Sequence, residues 1–146
     1  SAKPGVPNAY GLIGGEANKV EPGKRMLSSM SPTIVRKGER NFLVTGSPGG
    51  SRIITTTLQV IMNVIDHGMN IQTAVNAPRI HHQWLPDQIR IEQGISADTV
   101  RLLESRGHKV ATSSAMGAIQ SIMIGEDGTL YGGADPRRST SSAMGY

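Results

Sequence analysis

The segment Thr45–Ile53, TGSPGGSRI, places a turn almost free of side chains directly before an apolar stretch. In that stretch, apolar residues recur at spacings of four, three and four, the repeat of one helix face: Ile54, Leu58, Ile61 and Ile65. Three further residues widen the stripe: Ile53, Val60 and Val64. The pattern predicts a helix within residues 51–67 that is covered on much of its surface and ends at Gly68.

The bare turn does not have the composition of a nucleotide-binding loop. A P-loop needs GxxxxGK followed by Ser or Thr, whereas Gly46 is followed by SPGGSR, which lacks the lysine. The N–H groups of Gly49 and Gly50 are left at the positive end of a helix dipole. Such groups can hold an oxyanion during acyl transfer. Taken alone, the turn is better explained as a plain strand-to-helix connection.

Shorter elements surround this segment. Thr33–Arg36 and Asn41–Thr45 predict a hairpin around Lys37–Gly38–Glu39. Ser96 is placed to cap a helix over residues 97–106, closed by Gly107. Further predicted elements are a short helix over 70–76 and strands over 89–92, 109–112, 119–124 and 129–132. Hairpins mixed with helices indicate the α+β class, with sheet and helices in layers.

The two ends of the chain are irregular. Residues 1–25 hold three prolines and five glycines, which predicts a lid or binding loop, with a disordered terminus as the alternative. The polar tail over residues 135–146, DPRRSTSSAMGY, is predicted to run over the surface. Ser1 is not expected to be a nucleophile, because Pro4 and Pro7 prevent a regular central strand after it.

Composition excludes several kinds of function. The chain has 146 residues, 37% of them apolar, which suits one domain with an aliphatic core. It has no cysteine, so disulfides and thiolate metal sites are excluded. The 15 basic residues form no run longer than a pair, so nucleic acid is not an expected partner. No apolar run approaches the roughly 20 residues of a membrane span.

Two pairs of adjacent polar residues could bind a ligand or take part in catalysis. The segment LSSMSPT places Ser28 and Ser29 before a strand, where hydroxyl and N–H groups can meet a carboxylate, although no base for a serine nucleophile lies nearby. His81 and His82 are adjacent, but only Asp87 follows them as a possible further ligand. We therefore expect no metal ion, and no cofactor.

Taken together, KRMLSSMSPT, LVTGSPGGSRI, NAPRIHHQWLPD and the DPRR…GY ending resemble the small subunit of bacterial γ-glutamyltransferase, also called γ-glutamyl transpeptidase or glutathione hydrolase. The resemblance runs in order along the whole chain. It implies an N-terminal-nucleophile hydrolase, an αββα sandwich formed when a precursor cleaves itself into two subunits. Residues 1–25 would then be the lid or substrate loop, and residues 26–146 part of a single, incomplete sandwich domain.

The resemblance also implies roles for individual residues. Ser28 and Ser29 would hold the α-carboxylate of a γ-glutamyl group, and Gly49 and Gly50 would supply the oxyanion hole. Tyr10 would lie on the lid loop. The γ-glutamyl group would pass through an ester on a threonine to water or to an amine of an amino acid or peptide. Location in the periplasm or outside the cell is implied by the family only.

Two departures from the family pattern affect these expectations. Met26 replaces a proline that usually precedes LSSM, which should loosen the approach to Ser28. The nucleophilic threonine and the substrate-binding groups that precede the residue matching Ser1 are not in this sequence. We expect the first part of the small subunit and the large subunit to act as partners, the chain alone to be inactive, and its sheet to have an uncovered apolar face. A glutaryl or cephalosporin-type acylase and a non-catalytic remnant are the alternatives.

Overall fold

The computed structural model describes residues 3–145, which contain three α-helices, seven short strands and a short 3₁₀ helix at Glu16–Asn18. The helices are α1 (Arg52–Ile65), α2 (Ile71–Asn76) and α3 (Ala97–Ser105). The strands are β1 (Thr33–Lys37), β2 (Arg40–Gly46), β3 (Ile80–His81), β4 (Ile89–Ile91), β5 (Val110–Thr112), β6 (Gln120–Ile124) and β7 (Leu130–Ala134). This confirms the α+β class. Ser1 lies outside the described residues.

An antiparallel sheet of four strands, in the order β1-β2-β6-β7, forms the centre of the fold. The predicted β1–β2 hairpin is confirmed, and Gly38 takes a φ of 62° in its turn. On the inner face, Leu43 is fully buried. Beside it the hydroxyl groups of Thr45 and Ser121 form a 2.8 Å hydrogen bond between β2 and β6, which satisfies both buried polar groups.

Helices α1 and α2 cover this inner face, and their apolar side chains complete the core. The buried core cluster consists of Leu43, Val60, Val64, Ile71, Ala74, Val75 and Ile119. The predicted main stripe of α1 was wrong, because Ile54, Leu58 and Ile65 are each more than half exposed. Helix α1 packs on the sheet instead through Val60 and Val64, which lie on the stripe that begins at Ile53. Both stripes repeat with the helical period, so spacing alone could not choose between them.

Among the described residues, only the tail crosses the opposite face of the sheet, at its β7 edge, where a Cβ atom on Gly132 would lie 2.8 Å from Ala143 Cβ. Ile34, Val44 and Ile122 are direct neighbours across three strands, and they are 61%, 37% and 44% exposed. The expected uncovered apolar face is therefore confirmed. One helical layer on one sheet is half of an αββα sandwich.

A smaller sheet of three strands, in the order β3-β4-β5, lies beside the first. Strand β3 was not predicted, since two residues are too short to carry a period. Helix α3 has the predicted cap, in which the Thr99 N–H donates to Ser96 Oγ at 3.2 Å. Strand β3 follows α2 closely and places His81 against α1, next to the bare turn.

None of the helices within residues 3–145 is both long enough and apolar enough to cross a membrane.

Candidate functional site

The turn between β2 and α1 has the backbone of an anion-binding site. Gly49 and Gly50 have φ values of 142° and 60°, a region that favours glycine. Their carbonyl groups accept the N–H groups of Arg52 and Ile53, each at 3.2 Å, and so point along the helix. Within residues 3–145, neither glycine N–H has a hydrogen-bond acceptor. Both glycines line a cavity of about 600 Å³ at the positive end of α1.

Close packing against the chain before β6 fixes this turn. The Ser47 hydroxyl oxygen accepts the Ala118 N–H at 3.0 Å. A Cβ atom on Gly117 would lie 2.6 Å from the same oxygen, and one on Gly49 would lie 3.4 Å from Gly117 Cα. Bare backbone on both sides therefore lets the two segments touch.

The serine pair reaches the turn from the segment before β1. Ser29 is half-buried, and its hydroxyl donates to the Gly50 carbonyl at 3.0 Å. Ser28 is exposed, and its Oγ accepts the Met30 N–H at 3.2 Å, which leaves the Ser28 hydroxyl hydrogen available to a ligand. Ser29 is thus placed to orient the Gly50 peptide.

Tyr10 lies directly on Gly50. A Cβ atom built on Gly50 would be 2.5 Å from the Tyr10 ring atom Cε1, so the ring occupies the place of a side chain. Ser28 and Ser29 line a second cavity of about 670 Å³. Tyr10, Ser51 and Gln83 line both cavities. All five residues expected at the site are therefore close together, and Gly50 contacts both Tyr10 and Ser29.

A buried histidine, not expected at the site, supports the same region. His81 is 3% exposed, with Nδ1 at 2.8 Å from Thr55 Oγ1 and Nε2 at 2.9 Å from Gln83 Oε1. Burial lowers the pKa of His81, because the imidazolium ion would lose its hydration. The neutral ring can then link α1 to the chain that follows β3.

Behind the site lies a buried network of four charged side chains, which sequence reasoning missed. Arg79 donates to Asp135 at 2.8 Å, and Arg137 contacts Asp135 and Glu92 at 3.2 and 2.5 Å. Asp135 is fully buried, so the predicted surface course of the tail is wrong at its first residues. Proteins bury charges when they are paired, but nothing local in the NAPRI and DPRR motifs shows that the two segments meet.

The network also holds the loops that surround the turn. Arg79 donates to the carbonyls of Met116 and Val75 at 2.6 and 2.9 Å. Glu92 accepts the Met116 N–H, and Asp135 accepts the Ile119 N–H at 2.7 Å. The chain before β6, against which the glycine turn packs, is thereby fixed at both ends.

The charged partners shift the pKa values of this network. Burial alone would raise the pKa of Glu92 and of Asp135, but hydrogen bonds and the adjacent arginines hold both pKa values below their usual range. Burial also opposes the charge of Arg137, yet its two carboxylate partners raise its pKa. Burial lowers the pKa of Arg79.

We expect the network to make the fold sensitive to acid. The carboxyl groups of Glu92 and Asp135 bind protons more readily in the unfolded chain, whose ordinary pKa values are 4.5 and 3.8. Their contribution is therefore complete above about pH 5 and is lost as the pH falls through the lowered pKa values of the folded state. The thermal unfolding temperature, measured from pH 7 to pH 3, should decrease as the pH drops below about 5. Glu92→Gln should make the unfolding temperature depend less on pH, whereas Asp66→Asn, which changes an exposed carboxylate, should leave the pH dependence as in the wild type. A wild-type pH dependence in Glu92→Gln would contradict the acid sensitivity proposed for the network.

Comparison with known proteins places this geometry in a family. The family model for gamma-glutamyltranspeptidase matches residues 1–145. The glutathione hydrolase proenzyme of Escherichia coli K12 is 64% identical over 146 residues, which are 100% of this chain and 25% of that protein. The chain thus spans about a quarter of the length of this curated relative.

Solved structures show the same fold. The gamma-glutamyltranspeptidase of Helicobacter pylori aligns with a TM-score of 0.90 and 56% identity, covering 93% of this chain and 75% of that one. The cephalosporin acylase from Bacillus halodurans aligns with a TM-score of 0.79 and 30% identity, covering 88% of this chain and 25% of that one. Matched along nearly its whole length, the chain belongs to the gamma-glutamyltranspeptidase family.

Proposed function

We propose that the chain is part of a γ-glutamyltransferase, or glutathione hydrolase. The full protein would transfer the γ-glutamyl group of glutathione and similar compounds to water or to an amino-acid or peptide amine. The observation that carries the proposal is the pair of Gly49 and Gly50 N–H groups, which have no acceptor among residues 3–145 and lie beside Ser28 and Ser29 and under the Tyr10 ring.

In this proposal the glycine turn stabilises the reaction's charged intermediate. When a nucleophile adds to the γ-carbonyl carbon, negative charge develops on the carbonyl oxygen. The Gly49 and Gly50 N–H groups would donate to that oxygen, helped by the positive end of α1. When the C–N bond breaks, the leaving amine takes the proton that the attacking hydroxyl group released, and the γ-glutamyl group stays on the enzyme as an ester until water or an acceptor amine attacks.

The serine pair would set the specificity. The Ser28 hydroxyl has a hydrogen to donate, and a substrate carboxylate is a strong acceptor. Ser29 keeps its oxygen as an acceptor while its hydrogen is directed to Gly50. Tyr10 lies on Gly50 between the two cavities and would cover a bound γ-glutamyl group. These contacts suit an acyl group that carries a free carboxylate.

The nucleophile is proposed to come from another part of the same precursor, as a threonine freed by self-cleavage. The relatives named proenzymes are about four times as long as this chain, which supports a partner of this kind. The uncovered sheet face of Ile34, Val44 and Ile122 supports contact with further strands. We propose a location in the periplasm or outside the cell from the family resemblance, to be tested by cell fractionation.

The full-length protein tests the proposal. It should be expressed, followed for cleavage into two subunits by mass spectrometry, and assayed for release of the aniline from a γ-glutamyl anilide. A protein that neither cleaves itself nor releases the aniline would contradict the proposal and favour a non-catalytic remnant.

The similarity to the cephalosporin acylase favours a second candidate, an acylase acting on glutaryl or cephalosporin-type amides. Ser28 and Ser29 suit either substrate, because both carry a terminal carboxylate. Paired γ-glutamyl and glutaryl anilides differ only in the α-amino group. Preference for the glutaryl compound would select the acylase.

Replacing both serines should weaken binding of the γ-glutamyl substrate. Loss of a Ser28 hydrogen bond to the charged carboxylate costs about 1.5–3 kcal/mol, and loss of Ser29 removes the bond that orients Gly50, so Ser28→Ala/Ser29→Ala should raise KM at least about tenfold. Initial rates with the γ-glutamyl anilide measure this. Ser105→Ala, on exposed α3, is the matched control; a double variant with the wild-type KM would remove both serines from the site.

A further inference from the structure

We propose that Gln83 is the positioning residue that holds Tyr10 over Gly50, and thereby controls donor access to the proposed γ-glutamyl site. The inference rests on the proposed function for its catalytic consequence. Its structural part depends only on the hydrogen bonds of one side chain. Gln83 is half-buried and lines both cavities of the candidate site.

The amide group of Gln83 has every hydrogen-bonding position directed by a neighbour. Its Nε2 donates to the carbonyls of Tyr10 and Leu85, each at 3.0 Å. Its Oε1 accepts the Ser51 hydroxyl at 2.9 Å and lies 2.9 Å from His81 Nε2. Since both hydrogens go to carbonyl oxygens, the orientation of the amide is fixed, and His81 must carry its hydrogen on Nε2.

The loop that carries Tyr10 is otherwise bonded to itself. Asn8 Oδ1 accepts the Tyr10 and Leu12 N–H groups at 2.9 and 3.0 Å, and Asn8 also exchanges backbone bonds with this turn. Gly5 donates to the Gly14 carbonyl at 2.8 Å, and Pro7 bridges to Ile13. Among the described residues, the bond from Gln83 to Tyr10 is the single hydrogen bond between residues 5–14 and the chain beyond residue 24.

The loop can therefore move as a unit about this one attachment. Its internal hydrogen bonds survive displacement, whereas the Gln83 bond and the contact of the Tyr10 ring with Gly50 are lost. The oxygen of the same Gln83 amide accepts the hydroxyl of Ser51, the residue between Gly50 and the start of α1. One side chain thus ties the loop to the turn that it covers.

Two substitutions separate this role from general support. Gln83→Glu keeps an acceptor for Ser51 and His81 but has no hydrogen for the Tyr10 carbonyl. Gln83→Ala removes all four bonds. Gln93→Ala is the matched control, because Gln93 is exposed and its side chain makes no hydrogen bond within residues 3–145.

The first readout is structural and uses the full-length protein. Chymotrypsin cleaves after tyrosine, and cleavage after Tyr10 follows the population of the displaced loop when opening is fast. Loss of the bond should raise the rate of this cleavage roughly 3–10-fold in Gln83→Glu and Gln83→Ala, and leave it unchanged in Gln93→Ala. An unchanged rate in both Gln83 variants would overturn the proposal.

The second readout is kinetic. A smaller closed population lowers the apparent affinity for the donor, so KM for the γ-glutamyl anilide should rise by up to the same roughly 3–10-fold, with kcat within about twofold of the wild type. Faster cleavage with an unchanged KM would overturn the positioning role. If the wild-type protein has no γ-glutamyl activity, the proposed function fails, and the cleavage rates still decide whether Gln83 holds the loop.

Discussion

Replacing Asp135 by alanine should lower the free energy of unfolding by about 3–5 kcal/mol, because it leaves a buried arginine without its carboxylate. Asp135 is fully buried and bonded to the Arg79 guanidinium, the Ile119 N–H and Arg137. Chemical unfolding of the full-length protein, followed by circular dichroism, measures the change.

Two variants make this expectation specific to the network. Asp66→Ala removes an exposed carboxylate at the end of α1 and should change the stability by less than about 0.5 kcal/mol. Asp135→Ala/Arg79→Met removes both charges and should recover part of the loss, since an apolar side chain then fills the place of the ion. Equal losses for Asp135→Ala and Asp66→Ala would show that the network contributes nothing.

Replacing Gly49 by proline in the full-length protein should lower kcat for the γ-glutamyl anilide by about 10²–10³-fold. Proline has no N–H group, so one of the two proposed oxyanion donors disappears. Steady-state rates at saturating substrate measure the effect, and the thermal unfolding midpoint shows whether the fold is kept.

Gly49→Ala is the matched control for this loss. It keeps the N–H group and can hold the φ of 142° only with strain, with a Cβ atom 3.4 Å from Gly117 Cα, whereas the proline ring fixes φ at about −65°. Both variants therefore disturb the turn, the proline variant more than the alanine variant, and only the proline variant lacks the donor. If both variants lose kcat equally, the turn acts through its shape, and the oxyanion assignment is wrong.

Features set by neighbouring residues could be predicted from the sequence. The β1–β2 hairpin depends on its own glycine turn, and α3 depends on the Ser96 cap, so local chemistry was sufficient for both. Which apolar stripe of α1 is buried depends on which side of the helix faces the sheet. The stripes beginning at Ile53 and Ile54 both have the helical period, so the sequence does not show which of them is buried. The position of that helix is a property of the whole fold.

The candidate site shows the same division. The bare turn could be recognised from Gly49 and Gly50, but the residues alone left its purpose open. Ser29 reaches Gly50 across 21 positions, and Gln83 reaches Tyr10 across 73, so neither contact has a local signature. The buried arginine network joins positions 56 apart, and a polar tail gives no local sign that its first residue is in the core.

The position of Asp135 near the end of the chain gives the network a meaning during synthesis. Translation reaches Asp135 only after Arg79 and all the strands of the described fold have been made. A product that stops before residue 135 contains Arg79 without the Asp135 carboxylate that neutralises it. Because burying an unpaired charge is costly, the unfinished product should stay open to proteases. The buried ion pair thus makes the stability of the core depend on a residue that is synthesised after every described strand.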